Sequence, residues 1–451
     1  METTLRYGFS SLAALALVQF ILLVPICHAV QIVVDVNQGG DYETIQDGID
    51  AASEGDTVLV HPGTYTGEGN RDIGFGTKNI VLRGRDGAEA TIIDPGYGVY
   101  RCMEFRKTGQ DTTCVIDGFT IQGGHLQTLH DGGAGISIDA TIGSGPGPAS
   151  PKFTNCIIRD NYNSLGEGGG VYLNQGPSPV FRNVVFEDNY SYAGGGGVYA
   201  TFNCNATFSD CVFRGNENAL YGYGGGLTCK FESNATLFGC AFEENIAAYG
   251  AGLSCTDGAH PTITNCTFYS NSSAGDGSGA GLYCSGSSMP TLTNCTFYAS
   301  RITGDGEGQC VYTEDNSHPV LLRCLFSSSG YVPGSRSRND SPPSVQARTA
   351  EPRSSSFYCQ GGATIDAGQC CSFGNAYGND MCGTVVCGSG FLICEDPLFC
   401  DPGSGDLSLA AASPCLPGGN TWGARIGAHG EGCTQPAVEP SSWGAIKAIY
   451  R

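Results

Sequence analysis

The sequence predicts an all-β fold, a right-handed parallel β-helix, and three observations support this prediction. A pattern of roughly 28 residues returns six or seven times between Phe153 and Phe326. Two short motifs alternate within each period, and neither has the apolar spacing of a helix. Sixty-nine glycines and a charged fraction of only 14% indicate a chain made of turns and short strands.

Two motifs mark each period. The glycine-led motif ends in an apolar segment and recurs at Gly168–Tyr172, Gly195–Tyr199, Gly224–Cys229, Gly250–Cys255 and Gly279–Cys284. The second motif runs from an apolar residue through Cys or Val to a polar turn, and recurs at Phe153–Asn161, Phe181–Asn189, Phe208–Asn216, Leu237–Asn245, Ile263–Asn271 and Leu292–Ser300. Turn residues separate the apolar segments, which predicts three strands of about three residues in each coil.

Coils of such short strands cannot bury their apolar side alone, but stacked coils can. Each strand is expected to pair in parallel with its counterpart about 4.8 Å away in the next coil. Residues such as Leu282, Leu292 and Phe297 then point inward in columns. The stacking also predicts a column of amides that hydrogen-bond along the axis. Its members are Asn161, Asn189, Asn216, Asn245 and Asn271.

The segment before the first coil predicts a short N-terminal capping helix. Ile45 and Ile49 fall on one helical face within residues 41–52, and a strand follows at Asp56–Val60. Such a helix would cover the apolar core and unpaired strand edges at the open end. The coils of residues 79–121 are less regular, and residues 125–133 and 143–151 are expected to form loops.

The charge of the chain limits its partners. A formal net charge of −21 and a pI near 4.5 argue against nucleic acid and anionic membrane surfaces as partners, because like charges repel. The same repulsion disfavours acidic polysaccharide unless a cation intervenes. A polysaccharide of another kind or a surface protein remains a candidate partner.

The sequence divides into five segments. Residues 1–29 combine Arg6, an apolar run and small Ala29, which is typical of a secretory signal peptide. The β-helix with its cap follows in residues 30–326, then a flexible Ser/Pro/Arg-rich excursion in residues 327–356 and cysteine-rich terminal coils in residues 357–433. The tail, residues 434–451, is either a short helix or a sorting segment. We therefore predict a secreted protein, extracellular or on the outer cell surface, with no membrane span after signal cleavage and an undetermined oligomeric state.

The cysteines of the coils fall into two columns. Side chains stacked on parallel strands are poorly aimed for a disulfide, so we favour buried reduced thiols over bridged pairs. Zinc is a third alternative, which no suitable Cys-x2-Cys pair supports. Nine cysteines between Cys359 and Cys433 are expected to lie off the columns and are better disulfide candidates. The columns are Cys211, Cys240, Cys266, Cys295 and Cys324, and Cys229, Cys255 and Cys284.

Several motifs carry a resemblance to known families. Tyr42–Gln46, Asp56–Tyr65 and Ile116–Ile121 resemble the opening of secreted right-handed β-helix repeat proteins of the pectin-lyase-like superfamily. The glycine-led motifs are similar to polymorphic outer membrane protein repeats, as are Phe186–Asn189, Phe213–Asn216, Phe242–Asn245 and Phe268–Asn271. The resemblance implies the β-helix fold over most of residues 30–326. For function it leaves adhesins, lyases and glycosidases open.

Tyrosines are the first candidate ligand-binding residues. In each glycine-led strand the residue before Tyr points inward, so the tyrosines point outward on one face. Flat rings with hydroxyls suit sugar stacking or a protein partner. The alternative is that these rings only shield the sheet. The candidates are Tyr172, Tyr199, Tyr283 and Tyr312.

Catalytic candidates are few. His125, His130 and Asp131 lie in an early loop, and most loop histidines are simply solvated. Arg159, Glu187, Arg214 and Glu243 share one outward position in successive coils, and their alternating sign predicts surface ion pairs. No pattern predicts a metal or a cofactor.

From these features we predict an exported β-helix protein that acts as an adhesin, or as a glycan- or protein-binding structure, without catalysis. The alternative is a polysaccharide-active enzyme, a lyase or a glycosidase, as the pectin-lyase-like resemblance implies.

Overall fold

The structure is a computed structural model. It describes residues 29–129, 132–141, 143, 145–219, 222–303, 306–327, 356–373, 385–387, 392–393, 398–401, 406–418, 420 and 424–433. Residues 1–28 of the predicted signal peptide, most of the predicted excursion and the tail lie outside these residues.

The described chain begins with the predicted cap. The helix Ile45–Ala51 starts at Thr44, whose hydroxyl accepts the backbone N–H of Asp47 at 3.2 Å. Ile45 and Ile49 are fully buried against the first coils, as the apolar spacing predicts. The helix therefore closes the end of the core.

Three long sheets of parallel strands follow the axis of the molecule. Sheet A contains Gln31–Val34, Thr57–Val60, Val81–Gly84, Val115–Asp117, Lys152–Thr154, Val180–Arg182, Thr207–Ser209, Thr236–Phe238, Thr262–Thr264, Thr291–Thr293, Val320–Leu322, Ile365–Gly368 and Val385–Cys387. Sheet B contains Gly63–Tyr65, Thr91–Ile93, Thr120–Gln122, Ile157–Arg159, Val185–Glu187, Val212–Arg214, Ala241–Glu243, Thr267–Tyr269, Thr296–Tyr298, Leu325–Ser327, Cys371–Phe373 and Leu392–Ile393. Sheet C contains Ile73–Gly74, Met103–Phe105, Ile136–Asp139, Val171–Asn174, Val198–Thr201, Leu227–Lys230, Leu253–Thr256, Leu282–Cys284, Val311–Thr313 and Phe357–Cys359.

A short fourth sheet corrects the prediction of three strands per coil. Sheet D has two-residue strands and lies between sheets B and C in each coil that carries it. Its strands follow the turn that holds the asparagine column, and two residues give too little alternation to be seen in the sequence. They are His125–Leu126, Tyr162–Asn163, Tyr190–Ser191, Glu217–Asn218, Ile246–Ala247, Ser272–Ser273 and Arg301–Ile302.

Phenylalanines stack through the core. The rings of Phe213, Phe242, Phe268 and Phe297 are fully buried and nearly parallel, with neighbouring centroids 4.4 to 4.8 Å apart. Such ring pairs contribute about 0.5–1.5 kcal/mol beyond the burial of their area. The predicted inward columns, including Leu282 and Leu292, are confirmed by their complete burial.

The predicted column of amides is confirmed. Nδ2 of Asn161 donates to Oδ1 of Asn189 at 3.0 Å, and the same bond links each following pair up to Asn271. Each of these pairs is 26 to 29 residues apart in the chain, which is the length of a coil. A second bond from each Nδ2 reaches a backbone carbonyl, as from Asn216 to Phe186 at 2.8 Å. Both kinds of bond link neighbouring coils, so the asparagine column holds the coils together.

The cysteine columns are present and extend further than predicted. The sulfur of Cys370 accepts the backbone N–H of Cys324 at 3.4 Å, and Cys359 follows Cys284 and Thr313 in sheet C. The prediction that Cys359 and Cys370 lie off the columns is therefore wrong, because the coils continue through residues 357–373. Column members from Cys211 to Cys324 are buried free thiols. Cys156 is also a buried free thiol, and burial raises its pKa to about 12.

The last described residues do not form further coils of the β-helix. Residues 398–401, 406–418 and 424–433, named here the C-terminal element, contain the strands Phe399–Asp401, Asp406–Ala410 and Glu431–Cys433. A disulfide joins Cys400 to Cys433, as expected for cysteines of this region. The element packs on the outer face of sheet B, where the ring of Phe399 meets Tyr298 at 5.3 Å and His429 Nε2 lies 2.7 Å from Thr267 Oγ1.

Among the described residues, we find no helix with the length and apolarity needed to cross a membrane.

Candidate functional site

The four predicted ligand-binding tyrosines occupy one column on the outer side of sheet C. Tyr172 pairs in register with Tyr199, and Tyr283 pairs with Tyr312. Thr228 and Ser254 take the same position in the two coils between them. The column has the predicted alignment, and ligand binding by it stays a prediction.

Neighbouring side chains cover most of this column. Tyr199, Tyr283 and Tyr312 are only 8%, 2% and 7% exposed. The rings of Tyr223 and Tyr249 lie 5.7 and 5.2 Å from the ring of Tyr283. Burial is the main cause that raises the pKa of all four phenols above the ordinary value. Rings covered in this way offer little area to a ligand.

One carboxylate organises the end of the column. The hydroxyls of Tyr283 and Tyr312 both donate to Glu314, and Gln360 donates to the same carboxylate. Because all three donors come from different coils or strands, Glu314 joins the coils through side-chain hydrogen bonds. The arrangement fits a shield that stabilises the sheet.

The predicted catalytic residues are only partly described. His125 lies in sheet D with its ring edge against Tyr162 at 5.5 Å, and its Nε2 lies 3.1 Å from Gln127 Nε2. His130 and Asp131 lie outside the described residues, so their placement relative to His125 stays a prediction.

Aromatic side chains, some exposed and some half-buried, continue from His125 along the outer face of sheet D. His125, Tyr162 and Tyr190 are in register, and the two tyrosine rings stack at 4.6 Å with an interplanar angle of 13°. Tyr162 is 44% exposed and Tyr192, two residues beyond Tyr190, is 54% exposed. A backbone bridge places Tyr100 beside His125 at the start of the row. We call this surface the aromatic strip: Tyr100, His125, Tyr162, Tyr190 and Tyr192.

The stacking direction decides what the aromatic strip presents to solvent. Parallel rings one coil apart turn their edges and hydroxyls outward, while their faces cover one another. Burial and the nearby Tyr162 and Glu217 raise the pKa of Tyr190, so its hydroxyl stays protonated as a hydrogen-bond donor. The strip therefore combines exposed apolar area with a row of polar groups at the coil spacing, a combination found in sugar-binding and protein-binding surfaces.

A polar groove of about 480 Å³ lies on the outer face of sheet A. Asp117 is its fixed centre, because it accepts hydrogen bonds from Thr154 at 3.0 Å and Asn155 at 2.8 Å and pairs with Arg83 at 3.0 Å. Asn183 donates to Asn155 at 2.8 Å and extends this network into the next coil. The groove is lined by Asp117, Lys152, Thr154, Asn155, Arg182, Asn183 and Asp210.

Two cations in this polar groove lack an ion partner. Lys152 and Arg182 come from adjacent strands of sheet A, and neither forms an ion pair with any residue that the structure describes. They could hold an anionic group of a ligand, with Asp210 as the nearby carboxylate.

The predicted surface ion pairs form around Arg214. Its guanidinium lies 3.5 Å from Glu187 and 2.9 Å from Glu243. Arg159 bonds differently, since it lies 3.1 Å from Gln122 and 3.8 Å from Asp160. Exposed pairs of this kind contribute roughly 0.2–1 kcal/mol each and mark no site.

Within the described ranges, no group of three or more His, Cys, Asp or Glu side chains is arranged to hold a metal ion.

A family model for the right-handed beta helix region matches residues 134–306 and 250–378, which together span more than half of the chain. The chain belongs to this right-handed β-helix family. No curated protein matches the β-helix in a sequence search.

Solved structures similar to this β-helix include three enzymes. A pectate lyase is 15% identical with a TM-score of 0.42, over 71% of this chain and 82% of that one. A pectin methylesterase from carrot is 12% identical with a TM-score of 0.34, over 81% and 88%. The A-module of a mannuronan C-5 epimerase from Azotobacter vinelandii is 15% identical with a TM-score of 0.40, over 77% and 92%.

The side of the coil on which the aromatic strip and the polar groove lie could be predicted from the sequence. The triplet Asp-Asn-Tyr occurs at Asp160–Tyr162 and again at Asp188–Tyr190. Since the asparagine points inward, alternation turns the next tyrosine outward. In sheet A, Lys152 and Arg182 flank inward-pointing phenylalanines by the same rule. Their lack of ion partners, however, is a property of the packed coils and has no counterpart in the spacing.

Proposed function

We propose that this protein is an exported or cell-surface β-helix that binds glycan or protein without catalysis, through the aromatic strip. The observation that carries this proposal is the exposure of Tyr162 and Tyr192, with half-buried Tyr190 stacked on Tyr162. Most tyrosines of the sheet C column, in contrast, are at most 8% exposed. Single exposed rings are ordinary, but several aromatic side chains that adjoin one another are common in binding surfaces. The rigid coils hold these groups in place before a ligand arrives, which lowers the entropy cost of binding.

The experiment compares variants on a glycan array and in a cell-adhesion assay. Replacing Tyr162 and Tyr190 together by alanine should lower the signal at least tenfold, since each stacked ring supplies about 1 kcal/mol or more. Phe202→Ala is the matched control, because Phe202 is also an exposed, stacked ring but lies on another turn. A signal that the double variant retains in full would contradict binding by the strip.

The polar groove favours a second candidate function, a polysaccharide-active enzyme. Lyase chemistry needs a base near an acidic proton and a cation that neutralises the sugar carboxylate. Asp210 could serve as the base and Lys152 and Arg182 as the cations. Asp117 and Asn155 would hold the substrate. This candidate rests on the unpaired cations of the groove alone.

An activity screen separates the two candidates. Purified protein is incubated with a polysaccharide panel, and unsaturated uronate absorbance and reducing ends are measured. The binding proposal expects neither product. Turnover that falls at least 100-fold in Arg182→Gln, and stays unchanged in the Arg85→Gln control outside the groove, would establish the enzyme instead.

A further inference from the structure

We infer that the ligand of the aromatic strip is a glycan built from amino sugars with free, protonated amines. This inference rests on the proposed function, because it names the ligand class of the same surface. It follows from the carboxylates beside the strip, from a cation already bound to one of its rings and from the charge of the whole chain.

Carboxylates border the stacked tyrosines on two sides. Glu217 pairs in register with Tyr190 and is the next side chain of the row. Asp160 and Asp188 occupy the adjoining turn, each two residues before a strip tyrosine. Asp160 already pairs with Arg159 at 3.8 Å, so a ligand that lies along the row meets Asp188 and Glu217 in successive coils. These groups attract an ammonium and repel a uronate or a sulfate ester.

A cation already sits on the aromatic strip. The guanidinium of Arg71 lies 3.9 Å from the ring centroid of Tyr100, at the start of the row. This contact shows that the strip places a ring face within reach of a cation, at one end of the stack. At the other end, the next position after Tyr190 holds Glu217 instead of a further ring. An ammonium placed there would meet a tyrosine face and a carboxylate together, and both attract it.

The net charge of the chain also favours a cationic ligand. A net charge of −21 attracts a polycation from a distance and raises its association rate at low salt. The polar groove on sheet A, with free Lys152 and Arg182, is the described surface suited to the opposite charge. The two surfaces are therefore expected to prefer ligands of different sign.

The experiment measures binding of three oligosaccharides of equal length by calorimetry. They are a glucosamine oligomer with free amines, its fully N-acetylated counterpart and a galacturonate oligomer, at mildly acidic pH and low salt. We expect the free-amine oligomer to bind at least tenfold more tightly than the N-acetylated one. Tyr190→Ala should weaken its binding about tenfold, and Glu217→Gln about fivefold.

Matched variants separate site binding from general charge attraction. Tyr190→Ala leaves the net charge unchanged, so a loss of affinity reports the strip itself. Glu232→Gln removes one carboxylate from an exposed turn elsewhere and should leave affinity nearly unchanged. Equal binding of the amine and N-acetylated oligomers, both lost in Tyr190→Ala, would overturn the amino-sugar inference while supporting glycan binding by the strip. Amine binding that Tyr190→Ala leaves intact would overturn both.

Discussion

Two rows of tyrosines run along the same β-helix, and they differ in what surrounds them. On sheet C, Tyr199, Tyr283 and Tyr312 are nearly covered, and their hydroxyls or rings contact neighbouring coils. On sheet D, Tyr162 and Tyr190 also stack, at 4.6 Å, but Tyr162 is 44% exposed and Tyr190 is half-buried. The coil period places both rows. The turns decide which row is covered, because Tyr223 and Tyr249 reach over sheet C from the turns that precede its strands.

The difference in exposure between the two rows should have its largest effect on the stability of alanine variants. Tyr283→Ala should lower the free energy of unfolding by about 3 kcal/mol, because it removes a buried ring and leaves Glu314 with one phenol donor fewer. Tyr162→Ala should cost less, about 1 kcal/mol, since 44% of this side chain is already exposed to solvent. Denaturant unfolding of both variants measures this, and equal costs would contradict the distinction between the two rows.

Alkaline pH should also separate the rows. Burial raises the phenol pKa of Tyr199 and Tyr312 above the unfolded value of about 10, so the folded state holds protons that the unfolded chain releases. Their contribution to stability is then fully present below about pH 10 and is lost as pH rises through the folded pKa. Unfolding measured between pH 8 and pH 11 should show a smaller loss for Tyr199→Phe than for the parent chain.

A loss of the same size in Tyr199→Phe and in the parent chain would contradict this linkage. Tyr162→Phe, on the exposed row, is the comparison variant. Absorbance titration of the phenols checks the same point directly, since Tyr199→Phe should remove ionisation from the most alkaline part of the curve.

The smallest expected effect concerns Glu314, the carboxylate at the end of the sheet C tyrosine column. Glu314→Gln should lower the free energy of unfolding by about 1 kcal/mol, because an amide accepts from Tyr283 and Tyr312 less strongly than a carboxylate. Glu217→Gln, beside the open row, should change it by less than about 0.5 kcal/mol. Thermal unfolding of the two variants would test this. A larger cost at Glu217 would mean that the open row is also held by its carboxylate.

The sequence predicts the fold well because every coil repeats the same pattern of glycine, apolar and asparagine positions. Asn216 is identifiable as a buried ladder residue since Asn189 and Asn245 repeat it at the coil period. Sheet D was missed because two-residue strands carry no period. The position of the C-terminal element was missed because Leu407, Leu409 and Ile426 pack on the outer face of sheet B, and nothing in a coil pattern predicts an outside layer.

The binding surfaces were less predictable for a related reason. The coil period gives the side on which Tyr172 or Tyr190 lies, but exposure depends on what neighbouring turns bring over it. The net charge predicted that acidic glycans are disfavoured, whereas Lys152 and Arg182 form a local exception that only the packed coils reveal. Summed charge describes long-range attraction and does not describe the chemistry of one groove.

The buried thiols of the two columns are protected from oxidation only after the coils have folded. Column members such as Cys211 and Cys324 are out of reach of solvent and hard to ionise only once the coils on both sides have docked. Before that moment they are ordinary reactive thiols. In an oxidising compartment, thiols that are not yet buried can form disulfides while the coils dock. Each coil that docks buries the sulfur of the preceding coil and so protects it.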